Sequence, residues 1–270
     1  VSPSWRERAR IALLPHQVAM VRLARGLRPR VLDRKSVPCP PTEAKANWGP
    51  AVEALRELLA HPNVGKGDAT LVLSSHFCRY LVVPWSAELV TQAEELEFAR
   101  ARFVQIYGQV AHDWSVVMTP ATAGAGRLCA AVDQALLVAA SGALTASPLR
   151  LASVQPALMA LFNEWRRRIG EEGWLVIVEQ GRLLVAWISG GEWRSVRARP
   201  LNGESLSLAQ LLEQERLLLS AGDGQKVFLA TLGEAGVRTD GLRVERLAPG
   251  PARSALDESD PGYALAMCGS

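Results

Sequence analysis

The hydrophobic positions change period many times along the chain, and the changes mark out short alternating elements. Ile11 to Leu14 is apolar, Pro15-His16-Gln17 reads as a turn, and Val18 to Ala24 alternates as a strand does. Gly26 turns the chain toward a third strand near Val31, and a connector rich in proline (Pro38, Pro40, Pro41) follows. Val52, Leu55, Leu58 and Leu59 then recur at helical spacing, Asn63 to Asp68 is a loop, and Thr70 to Leu73 is a strand.

The middle of the chain continues the mixture. Phe77 to Val83 reads as a strand stopped by Pro84. A helix with the stripe Leu89, Ala93, Leu96, Ala99, Phe103 and Ile106 follows, starting at the capping-box pair Thr91 and Glu94 or a turn earlier at Ser86. Strands are predicted at Trp114 to Met118 and Leu128 to Val132. Asp133 can cap a helix running to about Thr145. Leu151 to Val154 is a short strand. Pro156 suits the first turn of a helix that ends on Arg166, Arg167 and Arg168, where cations favour the C-terminus.

From Trp174 the opening pattern returns. Trp174 to Val178 and Leu183 to Ile188 are strands flanking the turn Glu179-Gln180-Gly181-Arg182. Gly190-Gly191 leads to a third strand, Trp193 to Arg199. A helix follows from about Ser207, then strands at Val227 to Ala230 and Leu242 to Leu247. The order β-β-β-α-β therefore occurs twice, near residues 11 and 174. Two such units predict an α/β protein with a duplicated ribonuclease-H-like fold, the plan of actin, Hsp70 and the sugar kinases.

Composition narrows the classes without choosing a function. The chain has 270 residues, 49% hydrophobic and 21% charged, which excludes a disordered or collagen-like protein. A net charge of +3 gives no general case for nucleic acid binding. Residues 1–34 hold eight Arg against Glu7 and Asp33, but these charges interleave with apolar strand positions and read as solvated strand faces more readily than as a surface for anionic lipid. The longest uncharged run, Gln134 to Leu149, falls short of the roughly 20 apolar residues a membrane span needs, so no transmembrane segment is expected. No signal-peptide core follows the N-terminal arginines. Cys39, Cys78, Cys129 and Cys268 are widely separated and read as free thiols, which points to the cytoplasm.

Direct motifs for chemistry are few. Gly65-Lys66-Gly67 lacks the upstream Gly and the following Ser/Thr of a phosphate loop and is a turn. No Gly-x-Ser-x-Gly and no His-Glu-x-x-His occurs. His16, His61, His76 and His112 show no metal-ligand spacing, so no metal site is expected.

Several segments, taken in order, carry a resemblance. Leu71 to Pro84 followed by Glu94-Glu95-Leu96-Glu97 resembles the strand–turn–strand–Pro–acidic-helix segment of the actin-like platform proteins of type IV pili and type II secretion (the PilM and GspL families). Pro148 to Pro156 resembles their crossover strand after a small inserted subdomain, and Asp260 to Ala266 the start of their closing helix. The resemblance implies a first actin-like half from 1–75 and 148–172, an inserted α/β subdomain at 76–147, and a second half at 173–270. It also implies a cytoplasmic scaffold peripheral to the inner membrane, bound to the short cytoplasmic tail of a single-pass membrane partner.

The nucleotide-binding turns of that fold are eroded here. An active member holds ATP with a turn containing Asp and Gly in each first hairpin. Here Leu14-Pro15-His16-Gln17 has neither, and Pro15 lacks a backbone donor. Glu179 and Gly181 survive in the second turn, beside Arg182, which is expected to fill the cleft or pair with Glu179. A single glycine, Gly233, stands in Thr231-Leu232-Gly233-Glu234 on the adenosine side. These positions (His16, Glu179, Gly181, Arg182, Gly233) are residual cleft residues, with no catalytic residue and no cofactor expected. The rival reading is an ATPase or kinase holding ATP and magnesium at a site built from Glu179, Gly181 and His16, and a third is a regulator binding a small ligand in the old cleft. For partner binding the candidates are Phe77, Tyr80, Trp85, Phe103 and Tyr107 at the junction of the inserted strand and helix, with Arg100 and Arg102 for acidic groups. Phe103 and Tyr107 also fit a plain core role, since they follow the helical stripe.

Overall fold

The computed structural model describes residues 7–24, 30–40, 47–120, 124–201, 206–222, 224–233, 237–247 and 260–269. The predicted turn at Gly26, and Arg6, Pro41 and Glu234, lie outside these residues.

The first half opens with β1 (Glu7–Leu13), β2 (Gln17–Ala24) and β3 (Arg30–Pro38), followed by helix α1 (Gly49–Ala60) and strand β4 (Gly67–Leu73). After an insertion the chain returns as β8 (Leu149–Pro156) and α4 (Ala157–Ile169). The inserted stretch contains β5 (Cys78–Val83), α2 (Gln92–Tyr107), a single tight helical turn at Gln109–Asp113, β6 (Trp114–Met118), β7 (Arg127–Asp133) and α3 (Gln134–Thr145). The second half is β9 (Gly173–Glu179), β10 (Arg182–Ser189), β11 (Glu192–Pro200), β12 (Leu206–Ser207), α5 (Leu208–Leu219), β13 (Val227–Leu232), β14 (Val237–Arg238), β15 (Val244–Arg246) and α6 (Pro261–Met267).

The duplication is explicit in the sheets. One has the order β3-β2-β1-β4-β8 and the other β11-β10-β9-β13-β15. In each, the first three strands are antiparallel neighbours and the fourth joins the first in parallel. Parallel strands need helices over their faces, and the central strands are accordingly apolar on both sides: Ile11, Ala12, Leu13, Leu71, Val72 and Leu73 are fully buried, as are Leu175, Val176 and Ile177.

Local differences from the sequence expectation have physical causes. Strand β3 runs on to Pro38 instead of stopping short of the prolines, because β3 is the edge of its sheet and an edge position needs no second donor. Helix α2 starts at the later of the two expected sites: Thr91 Oγ1 accepts from the N–H of Glu94, while the Glu94 carboxylate accepts from the N–H of Thr91. Leu89 therefore precedes the helix, and Ile106 and Ala93 are exposed, leaving Ala99 and Phe103 as its buried pair. Pro156 closes β8 as the cap of α4.

Two helices cross the expected boundaries. Helix α3, expected within the inserted unit, buries Leu136, Ala140 and Leu144 in the main core and packs on α1 and β8. The inserted unit's own core is smaller: Val83, Ala99, Phe103, Ala111, Val116, Cys129 and Ala131, under the sheet β5-β7-β6. Helix α6, at the end of the second half, lies on β1 and β2 of the first. Gly262 makes that approach possible, since a Cβ there would stand 2.7 Å from the Ala19 Cβ. Arg10, buried on β1, holds the end of α6 by donating to the carbonyls of Ala266 (2.6 Å) and Cys268.

Candidate functional site

Strands β1, β4, β9 and β13 run in parallel pairs, and their C-terminal ends meet between the halves, where the cleft of the fold lies. In open α/β sheets this is where ligands bind. The elements that meet there are the turn Leu14–His16, the segment Ser74–His76 after β4, the turn Gln180–Gly181 after β9, Gly233 after β13, and the start of α6.

A carboxylate of the protein itself occupies the centre. Glu179 is 3% exposed. Its carboxylate accepts from the Ser74 hydroxyl and, at 2.9 Å, from the backbone N–H of Ser75. Both serines are fully buried. The expected Glu179–Arg182 ion pair does not form: Glu179 is turned across the cleft to the serine donors. The Nε of Arg182 is buried without a partner. Burial, and next the neighbouring Arg79 guanidinium, hold Arg182 below its ordinary pKa.

Two histidines complete this cluster. The Nε2 of His76 lies 2.9 Å from the carbonyl of Gln180, which fixes that nitrogen as the donor and ties the halves together a second time. His16 is half-buried with its Nε2 unpartnered. Burial lowers the pKa of both, reinforced for His16 by His76 and opposed for His76 chiefly by Glu179.

The remaining cleft positions are used for packing. Gly181 has φ +73°, a left-handed conformation that makes glycine the natural residue for the tight hairpin of β9 and β10. The first hairpin has no such residue; it closes through the N–H of Leu14 donating to Gln17 at 3.0 Å. Gly233, with φ +92°, backs onto Pro261, where a Cβ would approach the ring at 3.2 Å. Asp260 caps α6 by accepting from the N–H groups of Gly262 and Tyr263, and takes a further bond from the Gln17 side chain at 2.9 Å. The resemblance implies ATP and magnesium here, and the groups that would meet them are engaged otherwise or lack a donor. Ser74 and Ser75 already serve Glu179, Pro15 offers no N–H, and α6 closes on Gly233. Among the described residues no group of three or more His, Cys, Asp or Glu side chains is placed to hold a metal.

The partner-binding candidates separate on burial. Phe103 is fully buried within the inserted unit, and Phe77 and Tyr80 belong to the main core. The Tyr80 hydroxyl points inward, toward Leu158 and Cys78, and burial first of all raises its pKa well above the ordinary tyrosine value. Trp85 is 52% exposed, and Tyr107 is exposed while its ring packs on Trp114. Arg100 pairs with Glu97, and Arg102 donates to Gln105. Helical spacing alone could not separate these faces, because α2 is amphipathic only weakly and its core is small.

Sequence reasoning missed two surface features. A groove of about 1160 Å³ runs along α2, the tight turn Gln109–Asp113, β6 and the start of α3, with Arg100, Val104, Val110, Trp114, Asp133 and Val138 on its walls. A second, of about 440 Å³, lies between α2 and β5 on one side and β11 on the other. Each is built from segments distant in sequence, so no local pattern announces it.

No protein-family model matches this chain, and no curated protein matches it in sequence. Solved structures do. The PilM-PilN type IV pilus biogenesis complex is 16% identical over 97% of this chain and 97% of that one, with a TM-score of 0.66. The cytoplasmic domain of EpsL, an inner membrane component of the type II secretion system of Vibrio cholerae, is 14% identical, with 96% and 92% coverage and a TM-score of 0.58. A Bacteroides thetaiotaomicron protein with an actin-like ATPase fold and unknown function is 12% identical, with 86% and 84% coverage and a TM-score of 0.58. The chain therefore has the actin-like ATPase fold, as the duplicated pattern and the resemblance lead one to expect.

Proposed function

We propose that this protein is a non-catalytic, actin-like scaffold of a type IV pilus or type II secretion assembly, which binds the cytoplasmic tail of a single-pass inner-membrane protein. The observation that carries the non-catalytic part is the Glu179 carboxylate seated on the Ser74 hydroxyl and the Ser75 N–H. A nucleotide would have to displace a buried negative charge to reach those donors. The scaffold part is supported by the likeness of fold to PilM and to the EpsL cytoplasmic domain.

For the tail, the larger groove offers the best-suited surface. Val110 and Val138 stand exposed on it beside the half-buried Trp114 and Val104, so an extended apolar segment could bury side chains there, with Arg100 and Asp133 at its rim. No helix among the described residues is long and apolar enough to cross a membrane; on this reading the bound tail of the membrane partner holds the protein at the membrane. The protein would then work in the cytoplasm, against the inner membrane.

Two measurements test this reading. A pull-down with the cytoplasmic tail encoded by a neighbouring gene should capture the protein, and Val138→Glu should abolish capture; retention by that variant moves the tail off this groove. Titration with a non-hydrolysable ATP analogue and magnesium should show no binding. An affinity tighter than about 100 μM would overturn the non-catalytic reading in favour of the ATPase one.

A further inference from the structure

The groove between the inserted unit and β11 has a composition that the scaffold reading does not use. It shares no lining residue with the larger groove. Its walls are Arg79 and Tyr80 of β5, Ile106 and Tyr107 at the end of α2, and the run Val196, Arg197, Ala198, Arg199 of β11. No lining residue is acidic.

The cationic charge there is under-compensated. Among the described residues Arg79 donates only to the carbonyls of His76 and Cys78. Arg197 and Arg199 share one carboxylate, that of Glu215, which is buried beneath them. Burial first, and then the like charge of Arg79, lower the pKa of Arg182. Among the groove's three arginines only Arg197 and Arg199 have a carboxylate, the shared one of Glu215, and Glu179, the acid nearest Arg182 in sequence, is committed to Ser74 and Ser75. Bringing Arg79 and Arg182 together costs free energy that a bound anion would recover.

The second observation concerns backbone. β11 is the edge strand of its sheet, with β10 as its sole ladder partner among the described residues. β5 is likewise an edge strand, and although it runs beside β11 the two form no ladder. Four consecutive residues of an edge strand therefore line the groove, with their outward N–H and C=O groups free of any ladder among the described residues. Such an edge takes up an extended peptide by strand addition. Ile106 is exposed, and with Tyr107 it supplies an apolar wall.

We infer that this groove is a docking site for an extended acidic peptide segment of a protein partner, separate from the proposed tail groove: the segment adds to the edge of β11, sets carboxylates on Arg79, Arg197 and Arg199, and packs an apolar side chain on Ile106 and Tyr107. Arginine suits this role, because its planar fork meets a carboxylate through two parallel bonds.

The test uses a fluorescein-labelled peptide alternating glutamate with valine and leucine, and its glutamine isostere, titrated into the full chain. The glutamate peptide should bind tighter than about 100 μM. It should outbind the isostere by at least about tenfold, the scale of one charge-assisted hydrogen bond. Raising salt should weaken it. Arg79→Gln and Ile106→Glu should each reduce affinity by about tenfold, with unchanged circular dichroism and unchanged capture by the membrane partner's tail. Amide exchange at Val196 to Arg199 should slow on binding. Equal affinity for the two peptides, or wild-type affinity in both variants, overturns the proposal. Competition by free glutamate or inorganic phosphate at equal concentration assigns the groove to a small anion and overturns the peptide. Loss of tail capture with acidic-peptide binding intact would count against the scaffold reading alone.

Discussion

Removing the Glu179 carboxylate should unlatch the two halves, and the cost can be worked from its contacts. Glu179→Ala strands the Ser74 hydroxyl and the Ser75 N–H in a fully buried site. Each stranded donor costs about 1–3 kcal/mol. The loss is offset in part because the buried carboxylate no longer has to be kept from water, while Arg182 and His76 lose a favourable neighbouring charge. A net destabilisation of about 2–4 kcal/mol follows. For a chain of this size that is a fall in Tm of roughly 4–7 °C. Glu179→Gln keeps one acceptor oxygen but turns an NH2 group toward a donor, so it should fall between the wild type and alanine. The assay is thermal unfolding by circular dichroism, paired with amide hydrogen exchange. Exchange should accelerate at Ser74 to Phe77 and at Gln180 to Arg182 before it does in β1 or β9. A Tm shift below about 1 °C, with unchanged exchange at Ser75, would refute the idea that this carboxylate joins the halves.

Three further outcomes are expected. Stability should fall as pH drops below about 6.5, the unfolded histidine value: His16 and His76 are both depressed in the folded protein, so the unfolded chain takes up more protons there, and His76→Gln should flatten the Tm–pH profile. The cysteines should resist a thiol reagent at pH 8 until the protein unfolds, since all four are buried and burial pushes Cys39 up to about 11 and Cys78 and Cys129 up to about 12. Phe103→Ala should cost about 3–5 kcal/mol while Trp85→Ala changes stability by less than about 0.5, read by urea unfolding, because the first is enclosed in the inserted unit's core and the second is exposed.

How much of this was legible in the sequence follows from the range of each interaction. Strand and helix identity depend on local periodicity, so the two β-β-β-α-β units could be read from Ile11 to Leu73 and from Trp174 to Ala230 with no structure at all. Chemistry that depends on one residue type was equally legible: Pro15 lacks an N–H wherever it sits, and Gly181 marks a left-handed turn. Pairing across the fold was not. Glu179 is four residues from Leu183 in the chain, yet its partners are Ser74 and Ser75 from the other half. Sequence proximity left Arg182, the nearest cation, either to fill the cleft or to pair with Glu179, and the pair does not form because Glu179 reaches the other half instead. Helix α3 looked like part of the insertion because it follows β7 directly, but its apolar face, Leu136, Ala140 and Leu144, is covered by α1. The same holds for α6, whose small residue Gly262 has no meaning until β2 lies so near that an added Cβ would stand 2.7 Å from the Ala19 Cβ. Periodicity along the chain says that a face is apolar. Only the tertiary structure decides what covers it, because burial and long-range hydrogen bonding are properties of surfaces brought together by topology and not of neighbours in sequence.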